Sequence, residues 1–127
     1  MKKLAGIIIK GNGAASERFR CCKEILKKYG LNFPPLHFGT INIKLEENYK
    51  TPYYGIIVPY HELDEISRKN KEYWQFIPIE SINGDERYGF ILRTSINIHG
   101  EQVAELVTEY IDSGIEKGTR IEMEMTV

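Results

Sequence analysis

The chain contains only two cysteines, Cys21 and Cys22, and they are adjacent. Neighbouring cysteines disfavour a disulfide with each other and supply no C-x-x-C metal spacing, so the expected setting is a reducing one, the cytoplasm. Long apolar runs are lacking as well. No stretch approaches the ~18 apolar residues of a membrane span. The short run Leu4 to Ile9 after Met1-Lys2-Lys3 falls below the roughly 7 to 15 residues of a signal-peptide core and has no small-residue cleavage site behind it, so it reads as a first strand. Excess charge is missing: 17 Lys and Arg stand against 18 Asp and Glu. That balance gives no general pull toward nucleic acid or a lipid surface, and any phosphate-binding surface must be local. The familiar catalytic patterns are absent too. His37, His61 and His99 are scattered, no pair has the i, i+4 spacing of a helical zinc site, and there is no G-x-S-x-G elbow. No repeat or linker divides residues 1–127, so one domain is expected.

What is present is a set of strong local patterns. The central one is Phe38-Gly39-Thr40-Ile41-Asn42-Ile43-Lys44-Leu45. Ile41, Ile43 and Leu45 share one face of a strand and Thr40, Asn42 and Lys44 the other, because side chains alternate with period two. One face is core and the other is free for chemistry. Thr40 and Asn42 offer a hydroxyl and a carboxamide oxygen roughly 7 Å apart, two residues at about 3.3 Å rise. Such a pair could share one metal-phosphate group; a solvated strand edge is the competing reading.

Upstream, Leu4 to Ile9 reads as a buried strand that turns at Lys10-Gly11-Asn12-Gly13. The Gly11 to Ser16 loop is either an anion nest or a plain strand-to-helix turn, and it is neither a Walker A motif nor G-x-G-x-x-G. Phe19, Cys22, Ile25, Leu26 and Tyr29 recur at helical spacing, which predicts a helix from Ser16 to Tyr29 ended by Gly30. Arg18 and Arg20 in its first turn oppose the helix dipole and make more sense beside a phosphate.

Downstream, Tyr53 to Val58 reads as a strand ended by Pro59, and His61 to Lys71 as a short helix or a loop. Tyr73 to Leu92 is a β-hairpin closed by Asn83-Gly84. Val103, Leu106, Val107, Tyr110 and Ile111 fit i, i+3, i+4, i+7 and i+8, which predicts a second amphipathic helix from about Glu101 to Asp112. Ile121, Met123 and Met125 alternate with Glu122 and Glu124 in a last half-buried strand. About six strands and two helices without βαβ alternation make a mainly β protein, a small barrel rather than an open parallel sheet.

In this order the pieces resemble the CTP-dependent riboflavin kinases of archaea. Gly11-Asn12-Gly13 follows an opening strand, and Gly39-Thr40-Ile41-Asn42-Ile43-Lys44-Leu45 is similar to the family's G-T-L-N-x-x-L motif. Ile77-Pro78-Ile79 leads to a hairpin ending in Arg93-Thr94, and Glu116 to Ile121 resembles the last segment. The resemblance implies a six-stranded cradle-loop (RIFT-related) barrel and transfer of the γ-phosphate of CTP to the 5′-hydroxyl of riboflavin, giving FMN. It implies that Thr40 and Asn42 hold Mg2+, that Gly11, Asn12, Gly13, Ala14 and Arg18 cover the nucleotide, and that Thr94 and Glu105 contact the flavin. Two neutral oxygens suffice for magnesium, which takes its other ligands from phosphate and water. Phosphoryl transfer needs positioning and charge neutralisation more than a covalent nucleophile. No catalytic base is assigned.

The chain also departs from the family. Ala14, Ala15 and Ser16 follow Gly13 where the family has more glycine, and the aligned aromatic is Phe19. Thr94 and Glu105 are about three residues further apart than in the family. Glu109, Tyr110 and Asp112 stand where the family has a basic cytidine-contacting segment. The alternative is a noncatalytic flavin- or nucleotide-binding module on the same barrel. A swapped-dimer DNA-binding barrel is disfavoured by the balanced charge and by a chain long enough to close its own barrel, so a monomer acting on small molecules is expected.

Overall fold

The computed structural model describes residues 2–9, 22–32, 38–50, 52, 54–95, 100–109 and 117–125. Seven strands form one antiparallel sheet: β1 (Lys2–Ile9), β2 (Phe38–Leu45), β3 (Ile56–Val58), β4 (Trp74–Ile82), β5 (Asp85–Thr94), β6 (Val103–Glu109) and β7 (Arg120–Met125). Their order is β3-β4-β5-β6-β2-β1-β7, and β7 returns to pair with β4. Six of them, β4, β5, β6, β2, β1 and β7, therefore close into an antiparallel barrel, as the sequence patterns predict.

β3 is the extra strand. It shares one edge of β4 with β7, taking Trp74 to Phe76 while β7 takes Ser81 and Ile82. Pro78 falls in the interval between them, where a residue without an N–H leaves no ladder bond unmade.

The β4–β5 hairpin has the expected two-residue turn. Asn83 (φ 51) and Gly84 (φ 86) are both left-handed, the backbone that a type I′ turn needs to follow the strand twist. Asn83 also closes the barrel: its N–H donates to the Glu122 carbonyl at 2.8 Å, and its Oδ1 accepts from the Glu122 N–H at 2.9 Å.

Two apolar layers follow from strand parity. Inside the barrel lie Leu4, Ile8, Ile43, Leu45, Ile77, Ile91, Leu106, Ile121, Met123 and Met125. Gly6 also belongs to a tight part of this wall: a Cβ there would stand 2.3 Å from the Lys44 carbonyl oxygen, so β1 and β2 approach more closely than any side chain allows. The second layer covers the outside of β4, β5 and β6, where Trp74, Phe76, Phe90, Leu92 and Val107 pack with Cys22, Leu26, Leu31, Val58 and Leu63. Phe76 meets Trp74 and Phe90 edge to face at ring distances of 6.4 and 6.0 Å, geometry that the ring quadrupoles favour.

The helix α1 (Lys23–Lys28) supplies Leu26 to this outer layer. The Ser16 start expected for it lies outside the described residues. Its end is as expected: Gly30 has φ +81, its N–H donates to Lys27 O, and the Leu31 N–H donates to Leu26 O, both at 3.0 Å. This is a Schellman motif, and its two apolar members, Leu26 and Leu31, are both buried. The Tyr29 hydroxyl donates to Glu62, tying α1 to the 3-10 turn Tyr60–Glu62. The 61–71 segment, open between helix and loop in the sequence, contains α2 (Glu65–Asn70). It is capped by Asp64 at the Ser67 N–H (2.9 Å) and closed by Lys71 in the left-handed region (φ 54).

Three expectations are corrected. In the segment expected as a helix over 101–112, Val103–Glu109 is β6, paired on both sides with β2 and β5, and 110–112 lie outside the described residues. Its apolar spacing arises because it is covered on both faces, Ala104 and Leu106 packing into the barrel and Val107 into the outer layer. β1 is also not fully buried, since Leu4, Gly6 and Ile8 are inside while Ile7 is 47 % exposed. Of the strand expected over Tyr53 to Val58, Ile56–Val58 is β3, Tyr54 and Gly55 are outside it, and Tyr53 lies outside the described residues.

Candidate functional site

Strand register decides which of the sequence-nominated residues meet. Asn42 on β2 stands opposite Ile9, the last residue of β1, on one side and Glu105 of β6 on the other. Glu105 in turn faces Leu92 of β5, and Thr94 lies two residues further along the same strand, on the same face. Residues directly opposite on antiparallel strands have Cβ atoms about 5 Å apart. One row on the outer barrel surface thus brings together Asn42, Glu105 and the exit of β1 toward the Gly11 loop, with Thr94 in the next row.

The face is less open than alternation suggests. Lys44 is exposed, but Asn42 keeps only 9 % of its surface, and Thr94 and Glu105 are half-buried. The apolar wall beside them, Phe90, Leu92 and Val107, is already covered by the outer layer. A ring system can therefore reach the Thr94 and Glu105 edge but not the centre of that wall. Glu105 holds this place from a strand, not from the helix expected for it. Thr40 is fixed by its backbone opposite Val107. The nucleotide loop residues Gly11, Asn12, Gly13, Ala14 and Arg18 lie outside the described residues.

The Asn42 carboxamide oxygen is a hard donor, of the kind magnesium takes rather than a soft metal. Among the described residues no cluster of three or more His, Cys, Asp or Glu could hold an ion by itself. Any metal on this face would need oxygens from a bound phosphate or from water.

A second site lies at the end of the barrel where β1 begins and β2 finishes. Two polar side chains point into the barrel there, Gln75 of β4 and Arg93 of β5, directly opposite each other and both buried. Gln75 Nε2 donates to the carbonyls of Pro52 (2.8 Å) and Tyr54 (2.7 Å). Arg93 donates from Nη1 to Gly100 O (2.9 Å) and Val103 O (3.1 Å) and from Nη2 to Tyr49 O (3.2 Å). Its guanidinium also lies 5.3 Å from the centre of the Tyr49 ring, within cation–π range. Burial lowers the Arg93 pKa from its ordinary value, with Tyr49 and Glu101 acting the other way. The group stays cationic, as arginine does.

The Tyr49 hydroxyl is sealed from solvent and makes no hydrogen bond of normal geometry among the described residues. Burial, with Tyr54 nearby, pushes its pKa up to about 12. Over this plug sits an open cavity of about 430 Å³ lined by Lys2, Tyr49, Lys50, Pro52, Tyr54 and Glu101 among others. Sequence reading missed this arrangement. Its signal was a Gln and an Arg at inward parity in otherwise apolar strands, Trp74-Gln75-Phe76-Ile77 and Phe90-Ile91-Leu92-Arg93.

No family model matches the chain, and no curated protein matches it. Among the described residues no helix is long and apolar enough to cross a membrane.

Proposed function

We propose that the protein is a riboflavin kinase-like phosphotransferase of the cytoplasm, passing the γ-phosphate of a nucleoside triphosphate, CTP by resemblance, to the 5′-hydroxyl of riboflavin. The observation that supports this reading is the row formed by Ile9, Asn42 and Glu105. It sets the residue proposed for the metal, the residue proposed for the flavin and the start of the proposed nucleotide loop side by side on one outer face.

In this reading Asn42, together with Thr40, holds Mg2+, which when bound neutralises phosphate charge. Asn42 is held in register from both sides by β1 and β6, so its carboxamide is positioned by the barrel wall, not by a loop. Glu105 and Thr94 present an acceptor and a hydroxyl to the flavin from neighbouring strands. The cover over Leu92 and Phe90 confines the ring to the edge of the face. Positioning of this kind is what in-line phosphoryl transfer chiefly requires.

Incubation with riboflavin, magnesium and either CTP or ATP tests the reading. FMN formation supports it and identifies the donor. Flavin binding without turnover selects the noncatalytic module on the same barrel, and neither binding nor turnover removes both.

A further inference from the structure

We infer that the cavity at the barrel end binds a small anion carried on a planar ring, of the aryl phosphate type. The proposal does not depend on the phosphotransferase reading, because none of the cavity residues belongs to the Asn42 row.

The first support is charge. Lys2 and Lys50 line the cavity with Glu101, and Arg93 lies directly behind it, bonded to the carbonyls of Tyr49 and Gly100. The Lys2 ammonium is 3.5 Å from Glu47. Lys2, Lys50 and Arg93 set against Glu47 and Glu101 leave one positive charge in excess. Arg93 meets backbone carbonyls there, and its Nε is buried with no acceptor among the described residues. Glu101 offsets part of this buried charge, and the excess of one projects a positive potential into the cavity, where the low dielectric of the wall weakens it little.

The second support is shape and rigidity. Pro52 and Tyr54 give the cavity a side wall, and Tyr54 is 39 % exposed. The carbonyls of both residues are held by Gln75 from inside the barrel, and that of Tyr49 is held by Arg93. Three carbonyls of the cavity wall, at Tyr49, Pro52 and Tyr54, are therefore held before any ligand arrives, which lowers the ordering cost of binding. A volume of about 430 Å³ lies within the ~300–1,000 Å³ of small-molecule sites. An exposed aromatic wall with lysines at the rim matches a ring that carries a phosphate.

Phenyl phosphate is the probe, titrated into the full-length 15N-labelled protein with inorganic phosphate and phenol as separate arms. Phenyl phosphate should shift the amides of Lys2, Lys50, Tyr54 and Glu101, and each half-molecule should do so far more weakly. Lys50→Ala should weaken binding about tenfold, the loss of one charge-assisted contact, and Glu101→Gln should strengthen it. Tyr54→Leu, which leaves the bonded carbonyl in place, should weaken phenyl phosphate but not inorganic phosphate. The spectra themselves report whether each variant is folded. Three outcomes overturn the proposal: no shift at millimolar probe, shifts centred on Asn42 and Glu105, or inorganic phosphate alone matching phenyl phosphate.

Discussion

Gln75 and Arg93 face each other across the β4–β5 pair at the mouth of the barrel, and together they hold five carbonyls of the neighbouring chain segments. Arg93→Met keeps the apolar stem but leaves the carbonyls of Tyr49, Gly100 and Val103 without their donor. It should destabilise the fold by about 2–3 kcal/mol in urea unfolding, since buried acceptors that lose a partner keep their desolvation cost. Arg93→Lys should fall in between, because a single ammonium cannot reproduce the planar fork. A loss below about 1 kcal/mol for Arg93→Met would mean that water replaces the guanidinium.

Tyr49 gives the stability a signature in base. Its pKa is raised from 10.0 to about 12, chiefly by burial, so the fold favours the neutral phenol over the phenolate. Stability contributed this way is complete below pH 10 and falls as pH rises from there toward about 12. Tyr49→Phe removes that component: the variant should lose less stability than the parent between these values. At neutral pH it should be equal to or up to about 1 kcal/mol above the parent, since the hydroxyl it removes is buried without a normal hydrogen bond. Denaturant midpoints across the pH series measure both effects.

Lys71 closes α2 in a left-handed conformation (φ 54), where its N–H donates to Arg68 O and the next N–H, that of Glu72, to Ser67 O. A side chain with a Cβ costs energy there and glycine does not. Lys71→Gly should therefore raise stability by about 1 kcal/mol, visible as a higher thermal midpoint. A decrease would show that the lysine side chain contributes more than its backbone costs.

Asn42→Leu separates folding from ligand binding. The side chain is almost fully covered, between Ile9 and Glu105, so leucine fills a similar volume without opening a cavity. The variant should unfold within about 1 kcal/mol of the parent. Magnesium-dependent nucleotide binding, measured by calorimetry, should be lost. Unfolding of the variant would make Asn42 a structural residue, and unchanged binding would remove it from the site.

How much of this was legible depends on whether a strand has one wet face. β7 does, and its alternation gave both its type and its inward residues; β2 keeps the alternation of residue types although Asn42 on its outer face is covered. β6 does not: Val107 and Leu106 are adjacent and both fully buried, on opposite sides of the wall, so period two is erased and helical spacing appears in its place. The β-branched Val103, Val107 and Thr108 were the surviving hint.

The site was legible in part for the same reason. Parity placed Asn42 on the outer face, but its neighbour Glu105 is set by pairing between strands far apart in the chain, which no local pattern encodes. The Gln75–Arg93 pair is hidden by a single irregularity. Counting back from Ile82 opposite Asp85 would set Gln75 against Leu92. The register shift between Ile79 and Ser81 moves every later partner by one residue, and Arg93 takes that place.

The pairing of Lys2 with Met125 has a mechanical consequence. β1 enters and β7 leaves the barrel at the same end, and their ladder bonds run perpendicular to the strands. A force pulling Lys2 and Met125 apart therefore opens the β1–β7 ladder one bond pair at a time, like a zip, instead of shearing all its bonds together. The β1–β7 seam is thus loaded in its weaker geometry by that force.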